Sequence, residues 1–418
     1  MDLNQKFGEY MLLRRIAVGG QSEVFLAMKR GPETYTRPVV IKALPPQRRE
    51  DEKHIEVFYR EAFISSRFIH PNVINVHNAC MIDGDHCMLM DFISGQTVAD
   101  IARRGYQRKS PPTLKQVAQM IADACNGLHY THNFRDLDGQ QYSVVHCDIS
   151  PQNLMVTYHG DTMVFDFGIA HIIGYDTTPP VSGGKYAYMS PEQLKGEPIG
   201  PRSDIFSMGV ILYELCTGYR LFRRPSPQEV IGAVLDDPIQ APCELRPEIP
   251  PFLESIILRA LQRNPYERYE SAADMRSDLI EFLEMSPERG DLRRGLGAYV
   301  SAMFKDERAD IAATLSRAPA LQSGPVASLV HLSSPQEPEN TMDLEWSGEM
   351  LYPHLSPNSE PAMTSGLGDG KDIAVFGNEA DTTTPPKGSR EVVLAVALAA
   401  MSILSLVLFV VLMLGRAA

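Results

Sequence analysis

HCDISPQN, at residues His146 to Asn153, is the stretch on which the reading of this chain turns. Three other short runs accompany it in a fixed order: VVIK, ending at Lys42, DFG, at Asp166 to Gly168, and SPE, at Ser190 to Glu192. A DFG tripeptide alone arises often by chance and marks little more than a strand end. The ordered set is different, because it supplies together the lysine, base, amide and carboxylate that moving a phosphoryl group from ATP requires.

The chemistry assigns each residue a task. Mg²⁺ is a hard cation that prefers oxygen ligands in octahedral geometry, and Asp166 with Asn153 are the right donor types. Asp148 is placed to accept the proton of a substrate hydroxyl and to align its oxygen for in-line attack. Lys42 is suited to hold the α and β phosphates, and its flexible stem needs a counter-charge. Glu61, on a helix predicted over Lys53–Phe68, can provide it. The expected ligands are ATP and Mg²⁺, with Mn²⁺ as a substitute.

Outward from these motifs, residues 7–285 alternate apolar runs, turns and amphipathic stretches without a domain break, and read as one catalytic unit. Its first part is strand-rich, with short runs at Tyr10–Ile16, Glu23–Met28 and Pro38–Leu44. Later parts are helical: Val117, Ile121, Ala124 and Leu128 make one apolar stripe, and Ile205–Leu215 is apolar nearly all round, as in a buried helix. Segment 286–318 is amphipathic and expected to dock on the preceding domain. Over 321–390 there are ten Asp plus Glu against three Lys plus Arg, amid Pro, Ser, Thr and Gly. That composition predicts a disordered acidic linker, 319–390, that does not fold independently.

From Val392 to Leu414 no residue is charged. At 1.5 Å per residue this helix would be roughly 35 Å long, enough to cross a hydrocarbon core of about 30 Å. A single transmembrane helix is therefore expected over 392–414, and the placing of Lys387 and Arg390 before it orients the bulk of the chain toward the cytoplasm. The N-terminus has no apolar run that would serve as a secretory signal. The net charge of -13 gives no reason to expect nucleic acid as a partner. Six cysteines, Cys80, Cys87, Cys125, Cys147, Cys216 and Cys243, form no C-x-x-C pair, which argues against a zinc site or a disulfide framework and for a reducing compartment.

On its motifs the chain resembles the eukaryotic-like serine/threonine protein kinases of bacteria, over residues 7–285. The resemblance implies an α+β fold of two lobes, strand-rich and then helical, and it implies protein substrates. It further implies that Met90 is the gatekeeper before a hinge, Asp91 to Ile93, whose backbone binds adenine. Glu192 is expected to pair with Arg268, Asp204 to hydrogen-bond the catalytic-loop backbone, and His146 to sit beneath that loop as structure.

Three departures from the family pattern matter. The phosphate-covering loop, expected as G-x-G-x-x-G-x-V, reads Ala17, Val18, Gly19, Gly20, Gln21, Ser22, Glu23, Val24, so only the central glycine is kept and weaker ATP binding is expected. Cys147 stands where many relatives carry an arginine, which removes the usual bidentate partner of a phosphate at Thr177, Thr178 or Ser182. Ser150 replaces the catalytic-loop lysine, while Lys185 occupies a position where a threonine is usual. The two positions are expected to have exchanged chemistry, with Lys185 reaching back toward Asp148; a solvent-facing Lys185 is the alternative.

The expectation is thus a single-pass kinase at the cytoplasmic membrane, its catalytic domain in the cytoplasm, phosphorylating serine or threonine, with tyrosine left open by the Ser150 and Lys185 pattern. Tethering favours self-association and trans autophosphorylation. The rival is a pseudokinase that acts as a membrane-tethered scaffold binding nucleotide or protein.

Overall fold

A computed structural model of the chain describes residues 3, 5–19, 22–29, 37–136, 139–168, 170–173, 185–285 and 291–317. The expected linker and transmembrane segment, and Thr177, Thr178 and Ser182, lie outside the described residues. Among the described residues no helix is long and apolar enough to cross a membrane.

The N-terminal part is a six-stranded antiparallel sheet of β1 (Lys6–Phe7), β2 (Tyr10–Val18), β3 (Glu23–Lys29), β4 (Pro38–Ala43), β5 (Val76–Ile82) and β6 (Asp85–Asp91), in the order β1-β2-β3-β4-β6-β5. Alternation along β3 sends Phe25 and Ala27 into one apolar cluster with Leu12, Ile41 and Leu89, and Leu26 and Met28 into another with Met11 and Leu13. Helix α1 (Glu52–Ser65) begins where the Asp51 side chain accepts from the Lys53 and His54 amides. It stops three residues short of the expected Phe68. Its buried residues Phe58, Glu61, Ala62 and Ser65 recur at helical spacing, which turns Glu61 inward with the apolar face.

The C-terminal part is helical. After β7 (Gly95–Thr97) come α2 (Val98–Gln107) and α3 (Leu114–His132), the latter opened by a reciprocal Thr113 and Gln116 capping box. Short strands β8 (Phe134–Arg135), β9 (Gln141–Tyr142), β10 (Val144–Val145), β11 (Leu154–Thr157), β12 (Thr162–Val164) and β13 (His171–Ile172) bracket the catalytic-loop motif. Then follow α4 (Pro191–Lys195), α5 (Pro201–Thr217), α6 (Pro227–Asp236), α7 (Pro242–Leu245), α8 (Pro251–Ala260) and α9 (Ala272–Glu284). Helix α5 is buried from Ser203 to Thr217 and runs through the largest core, with α3 packed on it. Each fully buried large side chain there, Phe206 for example, contributes about 1.5–3 kcal/mol.

Helices α10 (Leu292–Met303) and α11 (Lys305–Arg317) complete the described chain. Helix α10 lies so close to the β11–β12 turn that a Cβ on Gly160 (φ 97°) would stand 1.9 Å from the Arg293 carbonyl oxygen, and one on Gly297 2.7 Å from that of Tyr158. Only glycine permits that approach.

Candidate active site

Strand β4 presents Lys42 opposite Val24 of β3 and Met88 of β6. Its ammonium donates to Glu61 Oε1 at 2.7 Å and to Asp166 Oδ1 at 2.8 Å. Burial works against the lysine's charge, but the two carboxylates outweigh it and hold the pKa above the usual lysine value. Burial pushes Glu61 up to about 7 in spite of Lys42. For Asp166 burial pushes upward and Lys42 pulls down harder, so this carboxyl stays well below the usual range and is ionised at neutral pH.

The local chain explains why Asp166 meets Lys42. Its backbone is left-handed (φ 67°), and Phe167 is seated between the rings of Phe68, 5.0 Å away, and His146, 4.5 Å away. At Gly168 a Cβ would stand 3.1 Å from Glu61 Oε2, so glycine lets the α1 carboxylate close on this turn.

Asp148 is gripped from two sides. Asn153 Nδ2 donates to its carbonyl oxygen at 2.8 Å and to Oδ2 at 2.9 Å. Lys185 Nζ donates to the same Oδ2 at 2.9 Å and to Ser150 Oγ at 3.3 Å. The Lys185 charge also lowers the pKa of Asp166, which ties the two groups into one cleft.

Asp204 on α5 holds the loop from below. It accepts from the His146 and Cys147 amides at 2.8 and 3.0 Å, and His132 Nε2 lies 2.7 Å from it. This anchoring keeps Cys147 in a left-handed conformation (φ 66°), a kind of strain that costs on the order of 1–3 kcal/mol. The Cys147 side chain packs with Val145 and Ile199, and its carbonyl accepts from Gln193 of α4 at 2.9 Å. Beyond α4, Arg268 clasps Glu192 in bidentate fashion at 2.7 and 2.8 Å, and both side chains are buried.

At the roof of the cleft, Ala17 faces Val24 across the β2–β3 ladder and the Gly19 amide donates to the Ser22 carbonyl at 2.9 Å. Val18, ending β2, is exposed. Gly20 and Gln21 lie outside the described residues. Met90 is half-buried against the cluster of Leu44, Phe58, Val76 and Met88. The Asp91 amide donates to Asn75 and its carboxylate takes Arg37 at 2.5 Å and His77 at 2.8 Å, while Ile93 is half-buried.

For a metal, the donor chemistry decides the fit. Asn153 spends its amide nitrogen on Asp148, so its carbonyl oxygen is what it has to offer, and Asp166 is ionised. Among the described residues no cluster of three His, Cys, Asp or Glu could hold an ion by itself. One carboxylate and one amide fit Mg²⁺ carried in on a nucleotide, whose phosphates supply further oxygens.

Some partners carried no sequence signal that singled them out. His132 is one of many buried positions on α3, and Gln193 reads as an ordinary capping residue. The packing of Ile311 and Leu315 of α11 on the cluster that also takes Phe92 had no sequence signal either.

Comparison with known proteins agrees with this geometry. The chain is 36% identical over 308 residues to the tyrosine-protein kinase MasK of Myxococcus xanthus, covering 73% of this chain and 48% of that protein. It is 32% identical over 285 residues to the serine/threonine-protein kinase PknB of Mycolicibacterium smegmatis, covering 66% and 43%. The chain thus spans less than half the length of these curated relatives. The crystal structure of the Mycobacterium tuberculosis PknI kinase domain is alike in fold, with a TM-score of 0.50 and 21% identity over 67% of this chain and 99% of that one. The protein kinase domain family matches residues 10–279, well over half of the chain, and this protein belongs to that family.

Proposed function

We propose that the chain transfers the γ phosphoryl group of ATP to serine or threonine hydroxyls of proteins. The observation that carries this reading is the simultaneous hold of Lys42 on Glu61 and Asp166, an assembled arrangement on which phosphoryl transfer depends. Lys42 binds the α and β phosphates, and the Asp91–Ile93 backbone receives adenine under the loop from Ala17 to Ser22 with Val24. Asp166 and Asn153 would hold Mg²⁺, which neutralises charge on the phosphates. Among the described residues both side-chain donors to Asp148 reach Oδ2. That leaves Oδ1 to accept the substrate hydroxyl proton and align its oxygen. Lys185, steadied by Ser150 and Asp148, supplies the cation that a catalytic-loop lysine otherwise brings to the transferring phosphate.

Purified protein with radiolabelled ATP and an Asp148→Asn control tests this. Label that vanishes in the control supports the enzyme; nucleotide binding without turnover in either protein supports the pseudokinase scaffold. The PknB relative favours serine and threonine, and the name of the MasK relative supports a second reading, tyrosine. Phosphoamino-acid analysis of the labelled product separates them.

The uncharged run Val392–Leu414 supports a single bilayer span that holds the kinase at the inner face of the cytoplasmic membrane, with 319–390 as its tether. Confinement to that surface favours encounters between copies and hence trans autophosphorylation. Alkaline extraction of membranes that releases the full chain would overturn the anchoring.

A further inference from the structure

We infer that α11 is a brace that positions the nucleotide-binding hinge, an inference that rests on the reading of Asp91–Ile93 as the adenine site. The β2–β3 part of the sheet turns Met11, Leu13, Leu26 and Met28 to one face, and Ile311 and Leu315 of α11 pack against that cluster. Phe92, the middle residue of the hinge, packs into the same cluster. A helix that follows the catalytic domain in sequence therefore packs on the first strands of the N-terminal lobe, on the same apolar cluster that takes Phe92 of the hinge.

The other end of this helix is fixed to the C-terminal lobe. Only Phe304 separates α11 from α10, and Phe304 is fully buried. Arg293 of α10 reaches Asp123 at 2.9 Å and Asp161 at 3.0 Å, and Tyr299 donates to the Ser110 carbonyl at 2.7 Å. Together with the glycine contacts at Gly160 and Gly297, these leave α10 no room to slide. Arg104 of α2 lies 4.4 Å from the Phe304 ring, donates to the Met303 carbonyl at 3.3 Å and pairs with Glu307, while Arg14 of β2 pairs with Asp310.

A rotation of one lobe against the other must separate α11 from one of its two footings. The brace thus narrows the conformations open to residues 91–93 and raises the fraction of chains whose hinge is ready for a base. Apparent affinity falls in proportion when that fraction falls, whereas turnover at saturation does not depend on it.

The test uses the full chain with Ile311→Asp and Leu315→Asp together, titrated with a non-hydrolysable ATP analogue and Mg²⁺, and with hydrogen exchange read at the hinge amides. The expected result is a Kd raised about tenfold, kcat within about twofold of wild type at saturating ATP, and faster hinge exchange. Ile311→Leu with Leu315→Met should restore all three. Because the apolar-to-acid pair could lower solubility, Arg14→Asp serves as a second probe at an exposed site. It should raise Kd about threefold and be rescued by Asp310→Arg. Unchanged Kd and hinge exchange in both probes, even with a lower melting temperature, would overturn the brace alone. A wild-type chain that binds no nucleotide overturns both the brace and the reading it rests on.

Discussion

Lys42 and Lys185 each bring an ammonium to the same cleft, yet the regions that hold them are built on different principles. Lys42 rises from a strand at the centre of a sheet, is 14% exposed, and is shared by two carboxylates from separate elements. Lys185 stands on the segment leading to α4, is 34% exposed, and has one carboxylate and one hydroxyl. The first site uses the residue types that its motif specifies at their usual positions. The second also has a cation beside Asp148, but on a residue outside the catalytic-loop motif, so the proposed exchange makes the place of the charge, rather than the position that carries it, the thing to test.

The sharpest way to separate the two is to remove each cation. Lys42→Met leaves Glu61 and Asp166 facing one another without a counter-ion and takes away the phosphate contact. Turnover should fall by about a thousandfold or more, roughly 4 kcal/mol, with Asp166→Ala equally damaging. Lys185→Ala should cost about a hundredfold in kcat, or roughly 3 kcal/mol, with little change in KM for ATP. If cation placement is what counts, Ser150→Lys combined with Lys185→Thr should recover activity to within about tenfold of wild type. Near-normal kinetics in Lys185→Ala would make the lysine a surface residue and collapse the contrast.

Acid sensitivity belongs to the Lys42 side. Glu61 is raised to about 7 from an ordinary value of 4.5. Across that window the folded chain keeps a proton that the unfolded chain has released, so Glu61 lowers stability as pH rises. Over the same window the Lys42 partnership becomes fully ionic. Relative to Glu61→Gln, wild type should thus lose melting temperature but gain affinity for the ATP analogue, by up to about tenfold, as pH rises from 5 to 8. Parallel curves for the two proteins would show that Glu61 is already ionised at the lower pH.

How legible all this was in the sequence follows from the same contrast. The run to Lys42 and the Asp166–Gly168 turn are short, contiguous and tied to strands, so type and spacing give both fold and contact. Strands near Tyr10, Glu23 and Pro38 were readable for the same reason, whereas the end of α1 at Ser65 was not, because its apolar pattern continues to Phe68 after the helix stops. The approach of Lys185 to Asp148 could be posed from sequence as one of two alternatives. Choosing between them needs the fold of the segment before α4. The footing of α11 on the cluster of Met11, Leu13, Leu26 and Met28, which Phe92 shares, joins residues far apart in the chain, and nothing local marks it.

Cys147 offers the finest test of how the Lys185 side is held. An arginine in this place would present a charge to a phosphorylated loop. Here the thiol is buried with Val145 and Ile199, while the carbonyl is tied to Gln193. Glu192 and Arg268 close the far end of the same segment without any phosphate. The ground around Asp148 is therefore held by apolar contact, by hydrogen bonds from Asn153, Lys185 and Gln193 and to Asp204, and by one buried ion pair, all present in the unmodified chain. Replacing Thr177, Thr178 and Ser182 together by alanine should change kcat by less than about twofold, since no charged partner for a phosphate stands at position 147. Glu192→Gln serves as the positive control: it leaves the buried Arg268 without its counter-charge, held only by backbone carbonyls, and should lower the melting temperature clearly. A tenfold drop in the triple alanine protein, reversed by phosphorylation at any one restored site, would mean that another cation in the cleft receives the phosphate, and Lys185 would be the first to examine.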